Sequence, residues 1–338
     1  MAREHLVIVG NGPAADEAAP FLRKGVPDAR ITIIGREVVS YYRPDLLPDF
    51  VAGKIAEEDL WVNPLQFYKE RDIKLRLGQN VVSVDFSKME LALEHKEVVR
   101  FDGMIIATGG KHRIPEPLAR FRELVLTLKT VADAKVWIEK LTRVESVLVI
   151  GCDLTSVVFT KAILSLGKQV TFFFDPSSPH LFGRSESIRE QLAHKMSDLG
   201  AEVVDCSKIA KLVQTREDLI EVTTEAGQFR AGAVGAFFGM VPDVKFLTGS
   251  GLHIERGILV DEYLQTNFKR IYAAGDCAQV YHPELCDYWV SIGYSNAREL
   301  GRIAALNLAG EEVQTEAPLS SIFKIDGRPI NTSWWMEA

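Results

Sequence analysis

The stretch LVIVGNGPAA, residues 6–15, joins a short apolar run to a G-x-G-x-x-A motif. The apolar run predicts a buried β-strand, and the alanine-rich sequence after it predicts an α-helix. Gly10 permits the tight turn between the two, Gly12 lets the backbone approach a pyrophosphate, and Ala15 lets the helix pack closely on the strand. The first turn of such a helix has unpaired N–H groups that bind anions. The segment therefore predicts the start of a dinucleotide-binding α/β fold.

The residues that follow fit the same interpretation. Pro13 suits the first helical position, where its missing N–H costs nothing. The sequence RITIIG at 30–35 predicts a second strand, and Glu37, 22 residues after Ala15, is placed to bind ribose hydroxyls. Pro20 is expected to kink the helix. The alternative for this motif, taken alone, is a tight strand–helix turn that binds nothing.

The same pattern returns about 140 residues later. The sequence VLVI at 147–150 predicts a strand, residues 155–167 a helix, and VTFFF at 170–174 a further strand. Two strand–helix–strand units of this size predict two nucleotide-binding domains of similar build.

The composition is that of a globular protein with an acidic balance. The chain has 338 residues, 39 of them Lys or Arg and 46 Asp or Glu, so its net charge is −7. At about 150 residues per domain this length predicts two or three domains, and the negative charge argues against nucleic acid as a partner. No apolar run reaches the roughly 18 to 20 residues of a membrane span. Four cysteines without a C-x-x-C pair favour a reducing compartment, so we expect a cytoplasmic protein.

Two further motifs are MIIATGG at 104–110 and IYAAGDCA at 271–278. The first predicts a buried strand ending in a glycine turn. In the second, a strand end delivers Gly275 and Asp276, which can offer a backbone N–H and a carboxylate to a chain of sugar-like hydroxyls. Together with the first glycine motif, these segments resemble flavoproteins of the pyridine nucleotide-disulfide oxidoreductase superfamily, over about residues 5–315.

The resemblance implies an α/β fold of two Rossmann-like, doubly wound dinucleotide-binding domains, the second inserted in the first. The FAD domain would comprise residues 1–113 and 242–318, and the NAD(H)-binding-like domain residues 114–241. Residues 319–338 resemble the opening of the family's third, interface domain, most of which is missing, whether naturally or by truncation. We expect the tryptophan pair Trp334-Trp335 to pack on the FAD domain or on a partner subunit.

By the same resemblance, the G-x-G-x-x-A segment would hold the ADP half of FAD. The ATG strand would lie by the flavin, and the Gly-Asp pair would hold the ribityl chain. Basic side chains are expected around the phosphates and the adenine ribose, with a solvated surface charge as the alternative for each. The full set expected to bind FAD is Gly10, Gly12, Pro13, Ala14, Ala15, Arg36, Glu37, Arg43, Val81, Ala107, Thr108, Gly109, Lys111, Gly275 and Asp276.

The segment YRPDLLP at 42–48 resembles NADH-dependent rubredoxin, ferredoxin and nitrite reductases. The dithiol branch of the superfamily would carry C-x-x-x-x-C here. No cysteine lies between Met1 and Gly151, so thiol reduction through such a pair is excluded. Cys277 and Cys286 could form a redox pair, but small buried packing is the better interpretation. The histidines show no metal spacing, and only His112 is expected near the flavin.

The second glycine motif departs from the family pattern. The expected G-x-G-x-x-G reads GCDLTS at 151–156, so Asp153 replaces the glycine that lets a pyrophosphate approach. A carboxylate about 4 Å from a phosphate charge costs about 4 kcal/mol at an effective dielectric constant near 20. The glutamate and lysine that relatives place near the nicotinamide fall on Val158 and Pro48.

Other residues favour nicotinamide binding. Asp175 lies 19 residues after Ser156, near a ribose-binding position, and its carboxylate would favour NADH over NADPH. Phe174 and Arg184 nearby leave that choice open, and GMVP at 239–242 resembles the turn that lines the nicotinamide channel. NADH binding and a vestigial domain kept as a scaffold both stay open. The residues expected at an NAD site are Gly151, Asp153, Ser156, Asp175 and Gly239.

The resemblance implies an FAD-dependent NAD(P)H:acceptor oxidoreductase. Hydride would pass from NADH to the flavin, and electrons would leave to an iron–sulfur or similar redox protein. No residue is required as acid, base or nucleophile, so none is named as catalytic. The alternative is an FAD-carrying electron-transfer subunit of a larger redox complex whose second domain is inert toward nicotinamide, and a non-redox scaffold is a third interpretation. The acceptor, the direction of electron flow and the oligomeric state are not predicted.

Overall fold

The computed structural model describes residues 3–151, 153–174, 186–205, 209–283, 286–290, 293–316, 322–325 and 328–331. Its strands are β1 His5–Val9, β2 Arg30–Ile34, β3 Ile73–Arg76, β4 Val81–Asp85, β5 Glu90–Leu93, β6 Val98–Arg100, β7 Gly103–Ile106, β8 Gly110–His112, β9 Ser146–Gly151, β10 Gln169–Phe174, β11 Glu202–Asp205, β12 Ile209–Arg216, β13 Leu219–Thr224, β14 Gly227–Ala231, β15 Ala233–Phe237, β16 Met240–Pro242, β17 Ile258–Val260, β18 Ile271–Ala273, β19 Ala278–His282, β20 Asp287–Val290, β21 Ile322–Ile325 and β22 Arg328–Asn331. Its helices are α1 Pro13–Gly25, α2 Leu47–Val51, α3 Leu65–Glu70, α4 Glu116–Ala119, α5 Val131–Leu141, α6 Leu154–Ser165, α7 Glu186–Asp198 and α8 Tyr294–Leu308.

The chain forms two compact units. The first comprises residues 1–43, 61–111 and 241–318, and the second comprises residues 44–60, 112–240 and 319–338. Residues 44–60 therefore pack with the second unit, whereas the sequence placed them in the FAD domain. The mixed α/β architecture with parallel sheets confirms the predicted fold class, while the exact boundaries of the cofactor domains stay a prediction.

The first unit is built on a five-stranded parallel sheet in the order β3-β2-β1-β7-β18. In β1 and β7 every residue is buried, as expected for central strands of a sheet covered on both faces. Val7 of β1 pairs with Thr32 on one side and with Met104 on the other. The register sets the carboxyl ends of these strands side by side, and loops at that edge carry ligands in such sheets.

Helices α1 and α8 pack closely together in the first unit. A Cβ added at Gly301 of α8 would lie 2.2 Å from the carbonyl oxygen of Ala14 in α1, so only glycine fits there. Pro20 lies inside α1, and the helix nevertheless runs unbroken from Pro13 to Gly25. The expected kink at Pro20 stays a prediction.

The second unit repeats the arrangement with a parallel sheet in the order β11-β10-β9-β15. The three phenylalanines at 172–174 of β10 are fully buried, which confirms the predicted buried strand. Helix α6 follows β9 and packs on β9, β10 and β15, and the short helix α2 packs on α5 and α6. The unit also contains an antiparallel sheet of β12, β13 and β14.

In the C-terminal segment, β21 and β22 form an antiparallel pair. Trp334 and Trp335, which we expected to pack on another surface, lie outside the described residues.

Candidate functional site

The first glycine of the GNGPAA motif is enclosed by backbone. Gly10 has a φ of +119°, and its N–H donates to the Ile34 carbonyl oxygen at 2.8 Å. A Cβ at this position would lie 2.1 Å from the carbonyl oxygen of Ala107, at the end of the neighbouring strand. Both the backbone conformation and the lack of room therefore require glycine here.

The second glycine of the motif is open instead. Gly12 caps α1 with an extended φ of −98° and ψ of −168°, which any residue can adopt. Among the residues that the structure describes, a Cβ added at Gly12 would meet nothing within 4 Å, and no side chain of these residues caps this helix end. Nearby, the buried Oδ1 atom of Asn11 has no hydrogen-bond partner in the described part of the chain. An uncapped helix end beside free space fits the pyrophosphate of FAD.

Charged side chains gather beyond β2. The Tyr42 hydroxyl donates to Glu37 Oε2 at 2.8 Å, which holds the carboxylate predicted to bind ribose. Two of the predicted phosphate-binding cations meet at one carboxylate, since Arg36 lies 3.0 Å and Lys111 3.8 Å from Asp243. The structure thus brings Arg36 and Lys111 together, through a partner that the sequence did not indicate.

The remaining cation of the predicted set lies elsewhere in the first unit. The Arg43 guanidinium lies over the ring of Tyr294, 5.1 Å from its centre. Val81 is buried at the start of β4, where it pairs with Leu93.

The ATG and Gly-Asp segments end at the same edge of the first sheet. Ala107 donates its N–H to Val9 O at 2.8 Å, and Gly109 has a φ of +62° with nothing within 4 Å of an added Cβ. Gly275, at φ +75°, approaches α1 so closely that its Cβ would lie 3.3 Å from that of Ala14. The structure therefore brings the glycine turn, the ATG turn and the Gly-Asp turn together at the carboxyl edge of the first sheet.

The Gly-Asp turn is tied to the start of α8. The Gly293 N–H donates to Asp276 Oδ1 at 3.3 Å. Thr108 lies between Ala107 and Gly109 in the ATG turn, and Pro13 and Ala14 lie in the first turn of α1. The roles of all these residues in binding FAD stay predictions.

The two described cysteines are free thiols in different surroundings. Cys277 is fully buried, and its thiol lies 3.3 Å from the carbonyl oxygens of Ile106 and Ala274. Burial raises the pKa of this thiol, which makes it a poor nucleophile. Cys286 is exposed, and no disulfide joins it to Cys277. The burial of Cys277 fits the packing interpretation.

A buried carboxylate in the first turn of α1 was not predicted. Asp16 accepts hydrogen bonds from the Tyr68 hydroxyl and from the Asn63 amide, the latter at 2.8 Å. Burial raises the pKa of Asp16, while both donors act in the opposite direction. Asn63 and Tyr68 lie about 50 positions along the chain, so no local sequence signal could have connected them to Asp16.

The second glycine motif has the same enclosed first glycine. A Cβ at Gly151 would lie 2.1 Å from the carbonyl oxygen of Phe237. Asp153 then caps α6, and its Oδ1 accepts from the Ser156 N–H at 2.8 Å. Its Oδ2 accepts from the Gly239 N–H at 2.9 Å, across 86 positions of sequence. Three of the predicted NAD-site residues, Asp153, Ser156 and Gly239, therefore bind one another.

This arrangement encloses the carboxylate. Asp153 is 4% exposed and Ser156 is fully buried. Burial raises the pKa of Asp153, and the backbone N–H groups that bind it lower the pKa in part. The N–H group of Ser156 already donates to Asp153, so it is not available to a pyrophosphate. NAD would fit here only if the Asp153 side chain moved.

The structure describes only some of the other residues that the sequence singled out in the second unit. Asp175 and Arg184 lie outside the described residues, as do Cys152 and Cys206. Val158 is 38% exposed on α6, whereas Pro48 is buried in α2.

His112 is partly buried, and burial lowers its pKa, which favours the neutral imidazole. Its predicted place near the flavin stays a prediction.

The described residues contain neither a membrane-spanning helix nor a metal-ligating cluster. None of the helices in that part of the chain is long and apolar enough to cross a membrane. No group of three or more His, Cys, Asp or Glu side chains placed to hold a metal ion occurs among the same residues.

Comparison with known proteins gives consistent matches. A family model described as pyridine nucleotide-disulphide oxidoreductase matches residues 4–295. Rhodocoxin reductase of Rhodococcus erythropolis is 28% identical over 308 residues, 90% of this chain and 72% of that protein. A rubredoxin-NAD(+) reductase of Pseudomonas putida is 26% identical over 277 residues, 81% of this chain and 71% of that one. The crystal structure of the covalent putidaredoxin reductase–putidaredoxin complex contains a chain of the same fold, with a TM-score of 0.84 at 24% identity, covering 96% of this chain and 79% of that one.

Proposed function

The chain belongs to the pyridine nucleotide-disulphide oxidoreductase family, and from this membership we propose that it is an FAD-dependent NAD(P)H:acceptor oxidoreductase. NADH is the electron donor, and an iron–sulfur or similar redox protein is the acceptor. The observation that carries the proposal is the uncapped start of α1 at Gly12, with free space beside it and three glycine-containing turns around it.

FAD, when bound, accepts two electrons from a nicotinamide and releases them one at a time. The chain's own residues bind and orient it. The N–H groups at the start of α1 would hold the pyrophosphate, Glu37 the adenine ribose and Asp276 the ribityl hydroxyls. No side chain is needed as acid, base or nucleophile, so the protein contributes position and electrostatics.

The names of the relatives support the choice of acceptor. One is a rhodocoxin reductase, another a rubredoxin-NAD(+) reductase, and the structural neighbour is a putidaredoxin reductase in complex with putidaredoxin. We propose that the acceptor of this chain is a protein of the same kind and that its redox metal centre lies in that partner. A cytoplasmic location, expected from the cysteine content, is part of the same proposal.

A second candidate function is an FAD-carrying electron-transfer subunit with an inert second unit. The specific observation that favours it is the Asp153 carboxylate, which engages Ser156 and Gly239 in the second unit. The two candidates differ in one measurable property, namely whether NADH reduces the bound flavin.

Anaerobic titration of the purified yellow protein with NADH tests the proposal through the visible absorbance of the flavin. Bleaching by NADH supports the oxidoreductase. If dithionite bleaches the flavin and neither NADH nor NADPH does, the electron-transfer subunit is the better function. A protein that takes up no FAD contradicts both.

A further inference from the structure

The two nucleotide units contain a matched pair of helix ends that differ in one side chain. We propose that the Asp153 carboxylate is a built-in anion at the pyrophosphate position of the second unit, and that nicotinamide dinucleotides bind only when it is displaced. The inference rests on the proposed function, since it concerns how that oxidoreductase limits the binding of its electron donor, NADH, to the second unit.

The two helix ends share two backbone features. Each helix follows a strand and a glycine whose Cβ would lie 2.1 Å from a carbonyl oxygen of the next strand, Gly10 in one unit and Gly151 in the other. The capping residues have almost equal torsion angles, with φ −98° and ψ −168° at Gly12 and φ −99° and ψ 172° at Asp153. The two positions are therefore comparable, and neither requires glycine for its backbone.

The side chain makes the difference. At Gly12 no side chain caps the helix, and an added Cβ would enter free space. At Asp153 the carboxylate accepts from the Ser156 N–H within the helix end. A helix N-terminus attracts anions, and here the chain supplies the anion itself.

The second carboxylate oxygen reaches a separate turn. Gly239 has a φ of +80° and follows β15, and its N–H donates to Asp153 Oδ2 at 2.9 Å. The sequence identified this turn as the one expected to line the nicotinamide channel. One carboxylate thus accepts from N–H groups in both segments that the sequence predicts at the NAD site.

The negative charge of the Asp153 carboxylate adds electrostatic repulsion to its occupation of these N–H groups. A phosphate about 4 Å from a carboxylate loses about three orders of magnitude in affinity at an effective dielectric constant near 20. Removing the side chain relieves both effects. Asparagine keeps a side chain of the same size with one acceptor oxygen, so it removes the repulsion and frees at most one of the two N–H groups. This difference separates the two causes experimentally.

The test measures NAD⁺ binding by calorimetry to the oxidised, FAD-loaded protein, so that no electron transfer occurs. The variants are Asp153→Asn and Asp153→Gly. Both are expected to fold, because asparagine is as good a helix cap as aspartate and glycine is only slightly weaker. We expect Asp153→Gly to tighten the NAD⁺ dissociation constant at least about tenfold and up to about a thousandfold, with Asp153→Asn in between.

The reciprocal change provides a matched control in the first unit. Gly12→Asp places the same carboxylate at a helix end of the same backbone conformation, and we expect it to release FAD. Gly12→Ala adds a methyl group where the FAD pyrophosphate would lie, so it measures the steric part of the effect, and a larger loss of FAD in Gly12→Asp than in Gly12→Ala assigns the remainder to the carboxylate. FAD content is read from the absorbance spectrum and folding from circular dichroism.

Equal NAD⁺ affinities in the wild-type protein and both Asp153 variants would overturn the inference, and so would undetectable binding in all three. The outcome for the proposed function is separate. If NADH bleaches the wild-type flavin while the NAD⁺ affinities of the three proteins are equal, the proposed oxidoreductase function is supported and the role of Asp153 is contradicted. If only Asp153→Gly binds NAD⁺ and is reduced by NADH, the built-in anion stands and the wild-type protein is not an NADH oxidoreductase.

Discussion

Asp16 in α1 and Asp153 at the start of α6 are both buried, but different kinds of hydrogen-bond donor bind their carboxylates. Asp16 is satisfied by side chains, the hydroxyl of Tyr68 and the amide of Asn63. Asp153 is satisfied by backbone N–H groups of Ser156 and Gly239. A buried carboxylate is costly without such donors, so each aspartate fixes the chain segments that supply them.

At the residue scale, Tyr42→Phe tests whether Glu37 is held ready for FAD. The variant removes the hydroxyl that donates to Glu37 but keeps the ring that packs edge-on against Trp61, at 5.9 Å between centres. We expect FAD affinity to fall about three- to tenfold, in line with the roughly 1 kcal/mol of one hydrogen bond. The measurement is a fluorescence titration of apoprotein with FAD.

Glu37→Gln is the companion variant, since it keeps an acceptor for Tyr42 and removes the charge. If Tyr42→Phe binds FAD as tightly as the wild-type protein while Glu37→Gln binds it weakly, Glu37 acts without help from Tyr42.

At the scale of elements, the contact of α1 with α8 depends on Gly301. A Cβ there would lie 2.2 Å from Ala14 O and 2.8 Å from Ala14 Cα, both backbone atoms that cannot turn away. We expect Gly301→Ala to lower the free energy of unfolding by about 1–3 kcal/mol. Because Ala14 lies in the first turn of α1, the variant should also bind FAD more weakly.

Urea denaturation and FAD titration measure the two effects. Ser295→Ala, at an exposed position of the same helix, is the control and should leave both unchanged. Loss of stability in Gly301→Ala with FAD affinity intact would separate helix packing from cofactor binding.

The elements themselves were well predicted where the signal is local. The apolar runs before each glycine motif became β1 and β9, and the phenylalanine run became β10. Asp153 was recognised as an obstacle to a phosphate, but its bond to Gly239 was not, because the two residues meet only when β15 pairs beside β9. Asp243 was missed for the same reason, since it is close to Arg36 only in the folded unit.

At the scale of the whole molecule, His5 links three strands of the first unit. Its ring nitrogens lie 2.9 Å from the Thr32 hydroxyl and 2.6 Å from the Arg100 carbonyl oxygen, and it is 7% exposed. Burial is the main cause that lowers its pKa below the ordinary 6.5, and Arg30 and Lys74 add to the shift, while Asp102 and the Arg100 bond oppose it.

A lowered pKa in the folded state fixes the direction of the pH effect. Protonation favours the unfolded chain, so the contribution of His5 is complete above about pH 6.5 and is lost as the pH falls through the folded-state pKa. We expect the free energy of unfolding to be lower at pH 5.5 than at pH 7.5, and His5→Gln to reduce that difference. Urea denaturation at both values measures it, and equal pH dependence in the two proteins would contradict the assignment.

The division of the molecule was the hardest feature to predict. Residues 44–60 follow the first nucleotide motif in sequence, yet they belong to the second unit because α2 packs on α5 and α6. Their packing partners lie about 80 to 120 positions further on. Periodicity within a segment carries no information about such distant partners.

The difference between the matched helix ends at Gly12 and Asp153 is also small at the level of the gene. Each aspartate codon becomes a glycine codon by a change of its second base alone, and both residues fit the backbone found at these two positions. A single base change can therefore open the helix end at Asp153, and one from GGU or GGC can close the helix end at Gly12, without rebuilding the fold. In this architecture, gain and loss of a nucleotide site are neighbouring steps for evolution.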